Sequence, residues 1–145
     1  AHEGWAVPLP RYEGVTYPDG GVRTSVHDLS RFFLALLGHG EYDGARILPA
    51  RAADEMTRFQ FAGPEFPKGY GPDEGNSGLF WRTRNNGAYI GHGGNDPGVQ
   101  AIMLASVDRR VAVVMLANTS GGSAEFQAYD AIFRSLMAYG RSQQR

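Results

Sequence analysis

The sequence predicts an α+β protein, in which an antiparallel sheet follows a helical segment and a final helix closes the chain. Residues 25–58 carry apolar side chains at helical spacing. In residues 78–117, apolar residues either alternate with polar ones or form continuous runs, as in strands joined by short turns. Residues 124–139 then return to helical spacing. The 145 residues, 42% of them hydrophobic, are enough for one domain with a single core.

The clearest predicted element is a helix over Val26–Leu37. Ser25 and Asp28 have the spacing of a capping box, in which side chains bond the free amides of the first turn. The apolar positions that follow recur every three or four residues: Leu29, Phe32, Phe33, Leu36 and Leu37. Gly38 stands where a C-terminal cap is expected.

A shorter helix is predicted from Pro49 to Thr57 or Arg58, because proline is favoured in the first turn of a helix. Between the two helices, residues 42–48 indicate a turn followed by a short extended piece. Residues 59–77 contain four glycines and three prolines, which predicts a loop or a segment that crosses between parts of the domain.

The sheet is predicted from four runs of strand-like residues, namely 78–83, 88–92, 99–106 and 110–117. A hairpin turn is expected at residues 85–87. The last two runs are almost continuously apolar, which indicates strands that are buried on both faces. The closing helix is predicted to present one apolar face, made of Phe126, Tyr129, Ile132, Phe133, Leu136 and Met137.

Composition excludes several classes of function. The formal net charge is −1, so the chain has no cationic excess for binding nucleic acid. It has no cysteine, which excludes disulfides, thiolate metal sites and a cysteine nucleophile. No apolar run approaches the roughly 18 residues of a membrane span. The four histidines are scattered without metal-ligand spacing, so neither a metal nor a cofactor is expected.

The strongest candidate for a site is the glycine-rich segment at residues 91–98, which contains His92. Glycines in or beside a strand are typical of places where another backbone or a ligand approaches closely. His92 has few side-chain neighbours in this segment and is expected to reach a cleft. A phosphate-binding loop is excluded because the required lysine is absent, and a dinucleotide fingerprint fails at Asp96. On the residues alone, a glycine-rich hairpin with a solvated histidine is the alternative.

Several segments also occur in the order and at the spacing of one enzyme family. They are, along the chain, residues 20–32, 37–44, 47–49, 56–57, 91–94, 97–98 and 113–118. Together they resemble the serine β-lactamase-like hydrolases, a family that includes class C β-lactamases, D-alanyl-D-alanine carboxypeptidases, D-aminopeptidases and related esterases. The resemblance extends over nearly the whole chain from Gly20 onward.

The resemblance implies a β-lactamase/transpeptidase-like fold and acyl-enzyme hydrolysis of an amide, a β-lactam or an ester. Such enzymes use a serine in S-x-x-K, a second motif Y-x-N or S-x-N, and a third motif K-T-G or H-x-G. His92, Gly93 and Gly94 match the third motif. By this resemblance, His92 helps to bind the substrate carboxylate, the glycines let an extended substrate approach, and the backbone N–H of Asn95 is an oxyanion donor.

The chain departs from the family pattern in its other two motifs. Lys68 is its only lysine, and Glu65 stands three residues before it, so S-x-x-K is absent. Y-x-N and S-x-N are absent as well. Since both motifs lie upstream in the family, residues 1–145 are expected to be the C-terminal portion of a β-lactamase-like domain, inactive alone. Its expected parts are an irregular lead-in (1–24), a helical part (25–58), a crossing loop (59–77), and the sheet with its closing helix (78–145).

Two other interpretations stay open at this point. The chain could be a non-catalytic module for binding peptides or cell wall or for association, or a subunit that completes its site with a separate N-terminal chain. In the complete enzyme the expected partner is a small-molecule acyl substrate, with no nucleic acid and no membrane span. Self-association or pairing with the missing half is also expected, because one face and one edge of the sheet would lack their usual partners.

Overall fold

Helices and antiparallel strands occupy separate stretches of the chain, which confirms the predicted α+β class. The structure is a computed structural model that describes residues 7–12, 20–61, 75–84 and 87–144. The elements in chain order are α1 (Val26–Leu37), β1 (Glu41–Tyr42), β2 (Ala45–Arg46), α2 (Ala50–Thr57), β3 (Arg82–Arg84), β4 (Tyr89–Asp96), β5 (Val99–Ser106), β6 (Ala112–Ala117) and α3 (Ser123–Ser142).

Helix α1 has the predicted bounds and the predicted cap. The backbone N–H of Asp28 donates to the Ser25 hydroxyl at 3.1 Å, and that hydroxyl donates to the Asp28 carboxylate at 2.7 Å. At the other end, Gly38 is the C-cap but has a negative φ, and the left-handed conformation falls on His39 at 57°. Glycine is required at position 38 because a Cβ there would lie 2.5 Å from the Glu41 carbonyl oxygen.

The connection from α1 to α2 is a small hairpin. Residues 42–48, predicted as a turn followed by an extended piece, contribute to the paired strands β1 and β2. Helix α2 then begins after Pro49, one residue later than predicted, and ends at Thr57. The predicted crossing loop at 59–77 lies mostly outside the described residues.

Strands β3, β4, β5 and β6 form one antiparallel sheet in chain order. Strand β5 has the predicted bounds, and β6 begins at Ala112, two residues later than predicted. Strand β4 continues through the glycines to Asp96, beyond the predicted end at His92. It pairs along its whole length with β5, from Tyr89 opposite Ser106 to Asp96 opposite Val99.

The predicted strand at residues 78–83 is largely wrong, since only residues 82–84 join the sheet. The preceding residues form a tight turn, in which the Gly78 N–H donates to the Trp81 carbonyl at 2.7 Å. The Leu79 N–H donates instead to the carbonyl of Met56 in α2 at 2.8 Å. The backbone of the apolar run 79–81 is therefore used by the turn and by the end of α2, and is not available to a neighbouring strand. Of the predicted turn at 85–87, only Gly87 is described.

Both faces of the sheet are covered by helices. On one face, α3 packs on a cluster made of Leu104, Val111, Val113, Met115, Phe133 and Met137. On the other, α1 packs on a cluster made of Phe33, Leu36, Trp81, Ile90 and Ala105. The expectation that the face opposite α3 lacks a partner is therefore wrong for this part of the sheet, because α1 provides the cover.

Helix α3 is longer than predicted at its C-terminal end, and its apolar side is wider than its contact with the sheet. Phe133 and Met137 are buried, whereas Phe126 is 45%, Ile132 52% and Leu136 41% exposed. The predicted single buried face is thus corrected to a narrower buried stripe with exposed apolar residues beside it. None of the described helices is long and apolar enough to cross a membrane.

The contact between α1 and the sheet gives a test of this arrangement. Phe33 is 1% exposed and stacks on Trp81, with ring centroids 5.5 Å apart, whereas the adjacent Phe32 is 45% exposed. We expect Phe33→Ala to lower the free energy of unfolding by about 3–5 kcal/mol, because it leaves a cavity between α1 and the sheet.

The matched control Phe32→Ala is expected to change the free energy of unfolding by less than about 1 kcal/mol. Urea denaturation followed by circular dichroism measures both values. Equal costs for the two variants would show that α1 does not pack on the sheet through Phe33.

Candidate active site

His92 lies in β4, where its side chain is exposed. It is two residues beyond Ile90, so the alternation of a strand places both side chains on the α1 side of the sheet. Strand β3 pairs with β4 only as far as Gly91, which lies opposite Arg82. From His92 to Asp96, no other strand of the described chain therefore pairs with the outer edge of β4.

The His92 ring is held by a hydrogen bond to the backbone. Its Nδ1 lies 2.9 Å from the carbonyl oxygen of Phe80. A carbonyl oxygen can only accept a hydrogen bond, so Nδ1 carries the proton, and Nε2 has no hydrogen-bond partner among the described residues. In the neutral ring Nε2 is an acceptor or base, and in the protonated ring it is a donor.

The residue that holds His92 has a strained backbone. Phe80 has a φ of 64° and its side chain is 84% exposed. A left-handed conformation costs a residue with a Cβ about 1–2 kcal/mol, and such strain is concentrated at functional sites. The turn that produces this conformation also directs the Phe80 carbonyl towards His92. Sequence analysis missed Phe80, because its apolar neighbours have the pattern of a strand.

The three glycines around His92 have different structural roles. A Cβ at Gly91 would collide with the Met103 carbonyl oxygen of β5, and a Cβ at Gly93 would lie 3.2 Å from the Ala101 carbonyl. A Cβ at Gly94 would meet no atom within 4 Å. The sheet therefore requires glycine at position 91. At position 94 the sheet does not require glycine, and because glycine has no side chain, the backbone there is accessible.

Asn95 follows on the same strand, one residue before the end of β4, and it is exposed. Its partner on β5 is Gln100, which is 3% exposed and whose Oε1 has no hydrogen-bond partner among the described residues. A buried amide oxygen without a donor is rare in folded proteins. This end of β4 therefore combines an open backbone with an unsatisfied polar group beneath it.

The tip of the β4–β5 hairpin is anchored from two directions. The Tyr12 hydroxyl donates to the Pro97 carbonyl at 2.6 Å, and the Gly98 N–H donates to the Ser120 hydroxyl at 2.7 Å. Leu9 packs so closely on Gly98 that a Cβ there would lie 2.6 Å from its Cδ1. These contacts fix the end of β4 beside Asn95, and no local pattern in the sequence indicated them.

A cavity of about 270 Å³ opens at the junction of β3 and β4. Its lining consists of Ser77, Phe80, Arg82, Arg84, Gly91, His92 and Gly93. Of the four predicted site residues, His92 and Gly93 line this cavity, whereas Gly94 and Asn95 lie further along the strand. Sequence analysis did not single out the two arginines.

The beta-lactamase family model matches residues 1–136, nearly the whole chain. The chain belongs to the beta-lactamase family. No curated protein and no solved structure matches it significantly. The family match and the α+β fold together establish a serine hydrolase-like scaffold of the beta-lactamase type.

Within the described part of this beta-lactamase-family chain, no group of three or more histidine and acidic side chains could hold a metal ion. Two of the other histidines lie beside single carboxylates, His27 at 3.6 Å from Asp28 and His39 at 2.5 Å from Asp54. Both belong to the helical segment, away from the edge of β4.

The different roles of the glycines can be tested by adding one methyl group to each. Gly94→Ala is expected to change the free energy of unfolding by no more than about 1 kcal/mol, because the new Cβ enters open space and alanine loses less backbone entropy than glycine. Gly91→Ala is expected to cost about 1–3 kcal/mol, because the added atom must displace β5.

Thermal unfolding of the two variants beside the parent chain measures the difference. A Gly94→Ala variant as unstable as Gly91→Ala would mean that position 94 is packed and not open to a ligand.

Proposed function

We propose that this chain supplies the third motif of a serine acyl-hydrolase site, and that the nucleophile and the second motif come from a separate segment. In this proposal, His92, Gly93 and Gly94 form the H-x-G motif. The observation that carries it is an exposed His92, oriented by the Phe80 carbonyl, on the unpaired edge of β4 in a chain of the beta-lactamase family.

The acyl substrate is proposed to lie extended along the outer edge of β4. An unpaired strand edge offers N–H and C=O groups to an extended ligand, and glycines at positions 93 and 94 let the ligand come close. His92 then contacts the substrate through Nε2, as a donor to its carboxylate when the ring is protonated. When the ring is neutral, Nε2 accepts a proton from a neighbouring group.

The backbone N–H of Asn95 is proposed as one oxyanion donor. Its place on the strand, three residues after His92, follows the family pattern, and the anchored hairpin tip keeps it in position. A single donor of this kind contributes about 10²–10³ to the rate of acyl transfer. The second donor belongs to the nucleophile segment in this proposal.

The serine in the cavity does not replace the missing nucleophile. The Ser77 hydroxyl lies 2.8 Å from the Gly78 carbonyl and 3.1 Å from the Trp81 carbonyl. Its proton is therefore directed to carbonyl oxygens, and none of its described hydrogen-bond partners is a base. A serine needs an adjacent base to become a nucleophile. The acyl-enzyme reaction, on an amide, a β-lactam or an ester, thus depends on a serine from S-x-x-K outside this sequence.

A second candidate function is non-catalytic binding of an extended peptide or a cell-wall strand. The same open edge from His92 to Asp96 favours it, because main-chain hydrogen bonds to an edge strand suffice for such binding. The two candidates differ in whether turnover can be restored by a segment that carries the nucleophile.

The isolated chain is expected to be inactive. Loss of a catalytic serine costs about 10⁶ in kcat in a well-studied triad enzyme, and here the second motif is absent too. Purified residues 1–145 should therefore hydrolyse neither a chromogenic cephalosporin nor a p-nitrophenyl ester above a heat-inactivated control. Mass spectrometry after treatment with a fluorophosphonate should find no modified serine. An adduct on any serine would identify a different nucleophile.

Co-expression with a family segment that carries S-x-x-K and Y-x-N should restore hydrolysis. In the restored pair, His92→Ala should lower kcat/KM by about 10²–10⁴, the usual contribution of a proton-transfer group. The control His27→Ala removes an exposed histidine of α1 and should leave kcat/KM unchanged. If both variants are equally active, His92 has no catalytic role; if the pair never turns over, the non-catalytic function is favoured.

Self-association of the isolated chain is also proposed. Strand β6 has no partner on its outer edge in the described residues, and the exposed side of α3 carries Ile132 and Leu136. Sedimentation equilibrium over a wide concentration range should show reversible association, which Ile132→Lys should weaken without changing the core. A monomer at every concentration would contradict this expectation.

A further inference from the structure

We propose that the sheet carries, on the face opposite His92, a binding site for a small oxyanion formed by Arg82, Arg84 and Arg141. The site takes a phosphate or carboxylate group. It adjoins the proposed acyl site, because His92 and Gly93 line the same cavity, but it is argued from the arginines and does not rest on the acyl function.

The register of the sheet sets the face on which the first two arginines lie. Arg82 is directly opposite Gly91, and Arg84 is directly opposite Tyr89. Directly paired residues of antiparallel strands project to the same face. Tyr89 packs against α3, with its ring edge-on to Phe133 at 5.1 Å, so both arginines project to the α3 side.

The third arginine reaches the same place from α3. The guanidinium carbon of Arg141 lies 6.0 Å from the centre of the Tyr89 ring, within the range of a cation–π contact. Arg84 is the cross-strand partner of Tyr89, so Arg84 on the strand and Arg141 on the helix both lie next to this residue. Three positive charges from two distant segments, β3 and the end of α3, therefore lie on the α3 side of the sheet.

These charges are not neutralised by ion pairs. Arg46, Arg58 and Arg134 each pair with a carboxylate, whereas Arg82, Arg84 and Arg141 form no ion pair with any described residue. Asp108 is near enough to Arg141 for that charge to help lower the pKa of its carboxyl, after larger effects from Ser106 and Arg110.

The Asp108 carboxylate is already engaged. One of its oxygens accepts hydrogen bonds from the Ser106 hydroxyl at 2.5 Å and from the Arg110 N–H at 3.1 Å. In the described part of the chain, Asp108 is the carboxylate found near this cluster, so three arginines make the region locally cationic, although the whole chain has a net charge of −1.

The adjoining cavity has the size and the floor for a small anion. Its volume of about 270 Å³ is lined by Arg82 and Arg84, by Gly91 and Gly93, which have no side chain, and also by Ser77, Phe80 and His92. Arg141 is not part of this lining and lies beside Tyr89. This volume is just below the roughly 300–1,000 Å³ of sites for drug-sized ligands, so the cavity has room for a phosphate or carboxylate group. Arginines two residues apart on a strand have Cα atoms about 6.6 Å apart, and their forked guanidinium groups can converge on one oxyanion.

Nuclear magnetic resonance titration of the 145-residue chain tests the proposal. Inorganic phosphate and succinate are the two probes, with N-acetylglycinamide as a neutral control. The observed signals are the backbone amides of Gly91 and Gly93 and the Nε–H groups of the three arginines. We expect saturable shifts with at least one anion and none with the amide, and weaker binding as sodium chloride is added. A response to phosphate alone assigns the site to phosphate groups, and one to succinate alone to carboxylates.

The double variant Arg82→Gln/Arg84→Gln should bind the responding anion at least about fivefold more weakly, which corresponds to about 1 kcal/mol. The control Arg31→Gln/Arg51→Gln removes two exposed helix arginines and should bind as the parent does. Arg82→Lys/Arg84→Lys keeps the charge and shows whether a loss reflects binding or misfolding. Linear shifts with both anions, or equal affinity in the parent and the glutamine variant, would overturn the proposal.

Discussion

The stacking of Phe33 on Trp81 connects the helical segment to the strand edge that carries the candidate site. Phe33 comes from α1, and Trp81 is the residue before β3; both are almost completely buried. Trp81 immediately follows Phe80, whose carbonyl holds His92. The position of one aromatic pair is therefore coupled, through a single peptide unit, to the orientation of the histidine ring.

This coupling explains why a strained turn persists at an exposed position. An isolated phenylalanine in the left-handed conformation would relax to another one, because the strain is of the order of 1–2 kcal/mol. Here the Gly78 and Leu79 amides bond to the Trp81 and Met56 carbonyls, and Trp81 is fixed in the core. The surrounding contacts outweigh the strain, and the result is a histidine with a defined tautomer.

The two faces of the β3–β4 junction have different chemistry. On the α1 side, the buried cluster that contains Ile90 extends towards the outer edge of β4. His92 is the polar side chain beyond this cluster, next to accessible glycine backbone. On the α3 side, Arg141 lies over the Tyr89 ring, and Arg84 is the cross-strand partner of Tyr89. This difference arises because side chains alternate between the two faces along β3. Thr83 projects to one face, where it is buried, and Arg82 and Arg84 project to the other. Charged residues on this short strand also protect it from pairing with another sheet.

Local patterns in the sequence were enough to predict the elements that do not depend on contacts with distant segments. The bounds of α1 follow from its cap and its apolar spacing, those of β5 follow from a long apolar run, and the glycines around His92 marked the candidate segment. The α+β class follows from the separation of these patterns along the chain.

Only the tertiary structure decided which surfaces meet. The run at 79–81 has the composition of a strand, but its Leu79 N–H donates to the end of α2 and its Trp81 carbonyl accepts from the Gly78 N–H. The apolar side of α3 shows which residues favour burial, but the contact with the sheet covers only a narrow stripe of it. Tyr89 and Arg141 are 52 positions apart, and their contact depends on the packing of α3 on the sheet. The periodicity of a segment indicates whether each residue prefers burial or exposure. Which residue it then contacts is determined by how distant segments pack together.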